Sequence, residues 1–275
     1  MTRNPDRYYQ SSGAIPLLAI GWMFFAGGIA ASITSLLYSL LDHYNPFIYI
    51  NFMAAAAFAA VTGFAVDWSG RRGKVRNRLA MMLAGFAMGL FAVYASWVWF
   101  LWILSGYQLF DLRPTTLLEL WQMLGERGLW TLKSWKPTGG VLYAFWIAEA
   151  VGVLSIVVYC SLSNQAPFCE ACDLWTEEGA LHPTFNVIPR HDELKSALEN
   201  EQYDFLRGLD RSAPSGMVFL RASLHHCPQC AESDYLTLRQ IQIKLKADGE
   251  QDAENATDIV VNLRISRDLM QELSC

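Results

Sequence analysis

Four cysteines are arranged in two pairs that have the spacing of metal ligands. The pairs occupy the C-x-x-C segments 169–172 and 227–230. A C-x-x-C turn directs two thiolates toward one point, and two such turns complete a tetrahedral set of four sulfur ligands, which suits zinc. The two other cysteines lie in an apolar run and at the last position. We therefore predict that one Zn²⁺ ion is held by Cys169, Cys172, Cys227 and Cys230.

The two cysteine pairs are far apart in the chain, with 54 residues between Cys172 and Cys227. Zinc ribbons commonly separate their pairs by about 15–20 residues, so a folded insertion must bring these two together. Its apolar pattern predicts a helix over about 192–209, with a stripe of Leu194, Leu198, Phe205 and Leu209. We expect strands near 174–176, 217–224, 234–246 and 258–265, and a short last helix capped by Ser266. Residues 164–275 are thus predicted to form a small α+β domain.

Each cysteine pair stands next to strand-like sequence. This strand–knuckle–strand order resembles zinc ribbons and rubredoxin-type knuckles, and the resemblance covers the knuckles and their strands only. It implies a structural metal site and no family for the whole chain. Such knuckles usually carry Gly after the second Cys because the turn needs positive φ. Asp173 and Ala231 stand at those two places here.

Two other uses of the thiols remain open from the sequence. Iron in place of zinc would make the site an electron carrier, and the pair at 227–230 could act as a redox dithiol with a lowered thiol pKa. His225 and His226 adjoin this second pair. Four thiolates leave no ligand position for these two histidines. We therefore expect them to be strand residues or donors of a hydrogen bond to a sulfur.

The first 163 residues have the composition of a membrane domain. The whole chain is 53% hydrophobic and only 17% charged, whereas soluble domains carry about 25% charged residues. Crossing a bilayer takes about 20 apolar residues. We predict four transmembrane helices at about 15–41, 47–66, 79–105 and 139–162. The first apolar run is too long for a cleaved signal peptide.

The charges between the spans predict an orientation. The short connection between the second and third spans carries Arg71, Arg72, Lys74, Arg76 and Arg78. An excess of Lys and Arg marks the cytoplasmic side, and the same residues can contact anionic headgroups at the membrane surface. With four spans, the N-terminal arm (1–14) and the C-terminal domain (164–275) share that side. We expect a bacterial inner membrane and a reducing compartment, which favours metal binding over disulfides.

The connection between the third and fourth spans contains a further amphipathic segment. Leu117, Leu120, Trp121 and Leu124 fall on one face of a helix predicted over about 115–125. Thr115 or Thr116 would cap its start and Gly125 would end it. We expect this helix to lie in the interface on the outer, non-cytoplasmic side of the same membrane.

Glu149 is the one charged residue within the predicted fourth span. An ionised carboxylate there costs about 2–3 kcal/mol by insertion scales, so such residues find partners or serve function. Asn51, Thr62, Tyr94 or Ser96 are its predicted companions. A neutral carboxylic acid bonded between helices, a site for a transported ion or proton, and a contact with a partner's charge are the three interpretations.

The remaining features limit the function classes. Residues 164–275 carry 19 acidic against 10 basic side chains, which opposes nucleic-acid binding. No catalytic motif stands out. We therefore predict an α-helical membrane bundle with a zinc-ribbon-like cytoplasmic domain, which acts as a non-enzymatic interaction or assembly module for a protein partner or a second copy. The alternatives are a membrane-bound thiol or iron redox carrier and a small transporter component that uses Glu149.

Overall fold

The computed structural model describes residues 5–45, 47–129, 131, 135–163, 166–180, 182–186, 190–210, 217–230, 232–245 and 251–274. The chain divides into two compact units. The helical unit is Ser12–Gln165, and the cysteine unit combines Met1–Ser11 with Ala166–Cys275. The N-terminal segment thus belongs to the same unit as the cysteines, although it precedes the first long helix.

Four helices of the helical unit are long and apolar enough to cross a membrane. They are α1 (Leu17–Tyr44), α2 (Ile48–Arg72), α3 (Arg78–Leu104) and α5 (Gly139–Ser161). Their bounds lie within three residues of the predicted spans, except at the end of α2. That helix continues six residues past 66, to Arg72, with no proline or glycine between residue 66 and Gly70.

The four helices form a square that is shortened along one diagonal, since α2 and α3 also contact each other. Helix α1 packs against α2 and α3, and both of these pack against α5. Gly63 of α2 allows one close approach, since a Cβ at this position would lie 2.5 Å from the Val157 carbonyl oxygen of α5. Small residues of this kind let helix backbones meet where lipid removes the hydrophobic drive for association. Helices α1 and α5 occupy opposite corners.

The predicted amphipathic helix is present as α4 (Pro114–Arg127), and its buried side chains include Leu117, Leu120 and Leu124. These leucines share a cluster with Leu142 and Trp146 of α5. The apolar face therefore packs on other helices of the unit, and placement of α4 in a membrane interface stays a prediction.

The extent of α4 agrees with the predicted 115–125 to within two residues, but the residues predicted to cap and end it are wrong. Neither threonine caps the start, because Pro114 is already the first helical residue and Thr116 donates to Asp111 at 2.7 Å. The helix passes Gly125, whose missing side chain makes room for Tyr143, and ends before Gly128. Gly128, which follows the last helical residue, has a positive φ of +73°, a backbone conformation that glycine adopts without a steric cost.

The cysteine unit contains two antiparallel sheets. The small sheet is a hairpin of β1 (Phe168–Cys169) and β2 (Leu174–Trp175). The larger sheet has five strands, β3 (Glu177–Glu178), β4 (Thr184–Asn186), β5 (Val218–His226), β6 (Tyr235–Leu245) and β7 (Gln251–Arg264). Strands β3 and β4 both pair with β5, which is followed by β6 and then β7.

Three helices accompany these sheets: α6 (His191–Glu199), α7 (Asp204–Arg207) and α8 (Arg267–Ser274). The single helix predicted over 192–209 is thus wrong. The chain turns at 200–203, where Glu201 has φ +61°, and this turn changes which face of the second segment is buried. Leu206 is fully buried, whereas Phe205 of the predicted stripe is 37% exposed.

The core of the cysteine unit lies between the large sheet and these helices. Leu194 and Leu198 of α6 pack with Leu206 and with leucines of β5 and β6 in one buried cluster. The predicted last helix is confirmed, since Leu269 and Leu273 of α8 join this cluster and the Leu269 backbone N–H reaches Ser266 Oγ at 3.4 Å.

The N-terminal segment completes this unit by pairing with its sheet. Tyr8 bridges Leu263 of β7, and the Tyr9 backbone N–H donates to the Asn262 carbonyl at 2.9 Å. Tyr8 is also buried in the core, and its hydroxyl donates to Glu199 of α6 at 2.6 Å. Residues 8–9 therefore act as a short edge of the sheet rather than as a free arm.

Candidate metal centre

The sheet register explains how cysteines 54 residues apart come together. Strand β3 directly follows the first cysteine hairpin, and strand β5 directly precedes the second cysteine pair. Glu177 of β3 pairs with His226 of β5, and Glu178 pairs with His225. Because these partners stand next to the two C-x-x-C turns, the pairing places both turns at the same end of the paired strands. Residues 179–217, including α6 and α7, form the insertion that the spacing predicts.

The four cysteine sulfurs form one compact cluster. The Sγ atoms of Cys169, Cys172, Cys227 and Cys230 all lie within 4.8 Å of one another, and Sγ of Cys169 is 3.5 Å from Sγ of Cys230. Zn–S bonds of about 2.3 Å in a tetrahedron put sulfurs about 3.8 Å apart. The cluster can therefore hold a metal ion with little movement of its side chains.

The first cysteine turn is fixed by local bonds. Cys169 pairs with Leu174 across the hairpin, and the backbone N–H and the hydroxyl of Thr176 both donate to the Pro167 carbonyl, at 3.0 and 2.8 Å. Asp173 has φ +54°, as the turn was predicted to require. In the second turn the Cys227 N–H donates to the Ser233 carbonyl at 3.1 Å, and Ala231 lies outside the described residues.

The thiols of the cluster do not ionise alike. Burial opposes ionisation of Cys169, yet hydrogen bonds from Ser233, the Cys172 backbone and the neighbouring thiols lower its pKa to about 7. The pKa of Cys172 is raised, chiefly by its hydrogen bond to Cys230 and then by burial. The lowered pKa of Cys169 favours the thiolate form that binds a cation, and a bound metal ion would favour deprotonation of Cys172 as well.

A buried ion pair supports the second turn from behind. Arg267 Nε of α8 lies 2.8 Å from Oδ2 of Asp234, whose side chain is fully buried. The same guanidinium donates through Nη2 to the Cys230 carbonyl. Burial raises the pKa of Asp234, and the charges of Arg267 and His226 oppose that rise. Arg267 therefore links the last helix to the loop that carries Cys230.

The two histidines next to the second cysteine pair lie in a strand of the large sheet. His225 and His226 lie in β5, paired with Glu178 and Glu177, so both occupy strand positions. Burial lowers the pKa of His225, and the charge of Glu178 opposes this shift.

The five basic residues predicted at the membrane surface lie where α2 ends and α3 begins. Arg71 and Arg72 are in the last turn of α2, and Arg78 begins α3. Lys74 and Arg76 lie in the short connection between the two helices.

Glu149 has a partner that the sequence did not predict. The Tyr38 hydroxyl of α1 donates to Glu149 Oε1, so the contact joins helices at opposite corners of the square. Of the companions predicted for Glu149, Thr62 donates to a carbonyl of its own helix, as does Ser96, while Asn51 donates to Asp42 at 2.7 Å. Tyr94 donates to the Leu112 carbonyl.

Sequence reasoning missed Tyr38 and Asp42, although a signal was present. The two residues are four apart near the end of α1, which places them on one face of that helix. A hydroxyl and a carboxylate on one face of an apolar helix indicate a polar lining. Arg267 carried no comparable signal, because its partner Asp234 is distant in the sequence.

No protein-family model, no curated protein and no solved structure matches the chain. What the protein does is therefore inferred from its cysteine cluster and its apolar helices.

Proposed function

We propose that the chain is an integral membrane protein whose cysteine unit holds one structural Zn²⁺ ion and serves as a cytoplasmic interaction or assembly module. The cluster of four sulfurs within 4.8 Å of one another is the observation that carries this proposal. Four thiolates fill a tetrahedral zinc shell and leave no open position for a substrate. A site of this kind stabilises a fold, and the fold then presents a surface.

The two turns fit the zinc-ribbon class in their geometry. Each lies at the end of antiparallel strands, one in the β1–β2 hairpin and one between β5 and β6. The left-handed Asp173 supports the same assignment. The assignment covers the two turns alone, since the α6–α7 insertion separates them and gives the unit its own core.

The proposed membrane topology follows from four apolar helices and from the basic residues that flank two of them. α2 ends and α3 begins at the five arginine and lysine residues at 71–78, and positive residues at the ends of spans stay on the cytoplasmic side. An even number of spans then places the cysteine unit on that side too. A bacterial inner membrane is the proposed location, and the reducing cytoplasm would keep the thiols available for metal.

Metal analysis of the full-length protein, purified in detergent, tests the site. We expect one zinc per chain and no visible absorption, and loss of the zinc in Cys227→Ser but not in Cys160→Ala, which removes a thiol outside the cluster. A coloured protein with one iron per chain would replace the proposal by the redox-carrier alternative. No bound metal in protein kept reduced would contradict both.

The interaction role needs a separate measurement. The same three proteins would be cross-linked in membranes, and the species recovered with each would be compared. We expect a defined partner or a second copy with the wild type and with Cys160→Ala, and its loss with Cys227→Ser. A cross-linking pattern that is identical in all three proteins would contradict a role of the cysteine unit in assembly.

A further inference from the structure

The helical unit contains two open cavities with polar groups in their lining, between its diagonal helices α1 and α5. A cavity of about 420 Å³ is adjoined by one of about 50 Å³, and both are lined by Tyr38, Asp42 and Glu149. We call the pair the polar cavity. It begins where α1 ends and α2 starts, at His43, Asn45 and Asn51. Along α5 its lining runs from Phe145 to Val153, about 12 Å of that helix.

Carboxylates dominate the charge of this cavity, and His43 is the one described lining side chain that could carry a positive charge. Asp42 and Glu149 both line it, and no described lining residue is a lysine or an arginine. Each carboxylate accepts one neutral hydrogen bond, from Asn51 at 2.7 Å and from the Tyr38 hydroxyl. Neutral donors do not cancel negative charge, and charge inside an apolar bundle is costly. A cationic ligand would offset that cost.

The walls indicate which kind of cation fits. Phe52, Phe100, Phe145 and Trp146 line the larger cavity, and aromatic faces attract ammonium groups. A hard metal ion instead takes about six oxygen ligands at short distances, which aromatic walls cannot supply. The volume also lies in the range of about 300–1,000 Å³ that is usual for small-molecule sites.

We propose that the polar cavity binds an organic ammonium ion, with its positive nitrogen beside Asp42 and Glu149 and its carbon groups against the aromatic wall. This site is independent of the zinc proposal, because every residue that carries it belongs to the helical unit. It gives a ligand class to the transporter alternative for Glu149, and it holds equally for a sensor or a binding protein.

Equilibrium dialysis tests the site on the full chain in lipid nanodiscs, with radiolabelled benzyltrimethylammonium as the probe. Empty nanodiscs measure partition of the probe into lipid. We expect saturable binding of one probe per chain above that background. Neopentylbenzene, which has the same shape without the charge, should not compete.

Conservative variants connect binding to the named carboxylates. Glu149→Gln and Asp42→Asn keep hydrogen-bonding oxygens and remove charge, and each should weaken binding at least tenfold. Glu119→Gln removes an exposed carboxylate of α4 and should bind like the wild type. A single symmetric peak in size-exclusion chromatography and a thermal midpoint no lower than that of the wild type establish that each variant is folded.

Three results would overturn the proposal. The first is binding no greater than in empty nanodiscs. The second is equal affinity in the wild type and both carboxylate variants. The third is full displacement of the probe by an equal concentration of calcium, which would make the cavity a metal-ion site.

Discussion

The two units place their polar and reactive side chains in opposite ways. In the helical unit, the polar side chains of Tyr38, Asp42 and Glu149 surround open space, while the helices are held by close backbone approach at residues such as Gly63. In the cysteine unit, the core is a closed cluster of leucines, and the reactive groups gather at one edge where four thiols meet. The first arrangement leaves room for a ligand, and the second could be closed by a metal ion.

This difference indicates where each unit obtains its stability. Helices of 23 to 28 residues satisfy their own backbone hydrogen bonds, so we expect the helical unit to keep its fold without a metal ion. The cysteine unit joins short strands through turns that a metal would fix, and β1, β2 and β3 have only two residues each. Removal of metal should therefore unfold the cysteine unit and leave the helical unit folded.

The largest expected effect is loss of metal by Cys172→Ser or by a strong chelator. Zinc binding in structural sites supplies about 10–16 kcal/mol, comparable to the whole stability of a domain, about 5–15 kcal/mol. We expect hydrogen exchange in residues 166–274 to lose protection, while α1, α2, α3 and α5 stay protected.

Cys160→Ala is the matched control for this experiment, since it removes a cysteine of α5 that lies outside the cluster. It should leave protection in the cysteine unit unchanged. Simultaneous loss of protection in both units would show that the distinction between them is wrong.

The sequence was sufficient for features that depend on neighbouring residues. Apolar run length predicted the four long helices, and paired C-x-x-C spacing predicted the ligands that the fold brings together. It was insufficient where distant segments decide. The rotation of α1 about its axis makes Tyr38 the partner of Glu149, and a left-handed turn at Glu201 exposes Phe205. The local pattern marks Tyr38 and Asp42 as one polar face of α1 but does not identify their partner, and nothing in it marks the turn at Glu201.

The next expected effect concerns the support of the second cysteine turn. Arg267→Met would leave Asp234 as a buried carboxylate without its cation and would remove the bond to the Cys230 carbonyl. Removing one member of a buried pair costs about 3–5 kcal/mol, and the lower end applies because Arg267 is 32% exposed. We expect about 3 kcal/mol less stability in the cysteine unit, measured by urea titration of its hydrogen exchange.

Two further variants separate this buried pair from ordinary surface charge. Arg239→Met breaks an exposed pair with Asp258, 2.7 Å apart, which should cost at most about 1 kcal/mol. Adding Asp234→Asn to Arg267→Met should recover part of the loss, because no unpaired charge then remains buried. Equal losses in Arg267→Met and Arg239→Met would contradict the role assigned to the buried pair.

The smallest expected effect tests the close packing attributed to the helical unit. A Cβ at Gly63 would lie 2.5 Å from the Val157 carbonyl oxygen and 2.6 Å from Cys160 Cβ, so Gly63→Ala must push α2 and α5 apart. Overpacking of this kind costs about 1–3 kcal/mol. Gly152→Ala makes the same change in α5 where nothing lies within 4 Å, and it should be neutral or slightly stabilising because alanine favours helix. The thermal midpoint of the helical unit in detergent should fall only for Gly63→Ala, while metal content stays at one per chain in both variants. Equal midpoints would mean that backbone approach at Gly63 does not hold the helices together. That result would contradict the proposed difference between a unit held by close helix packing and a unit held by a metal ion.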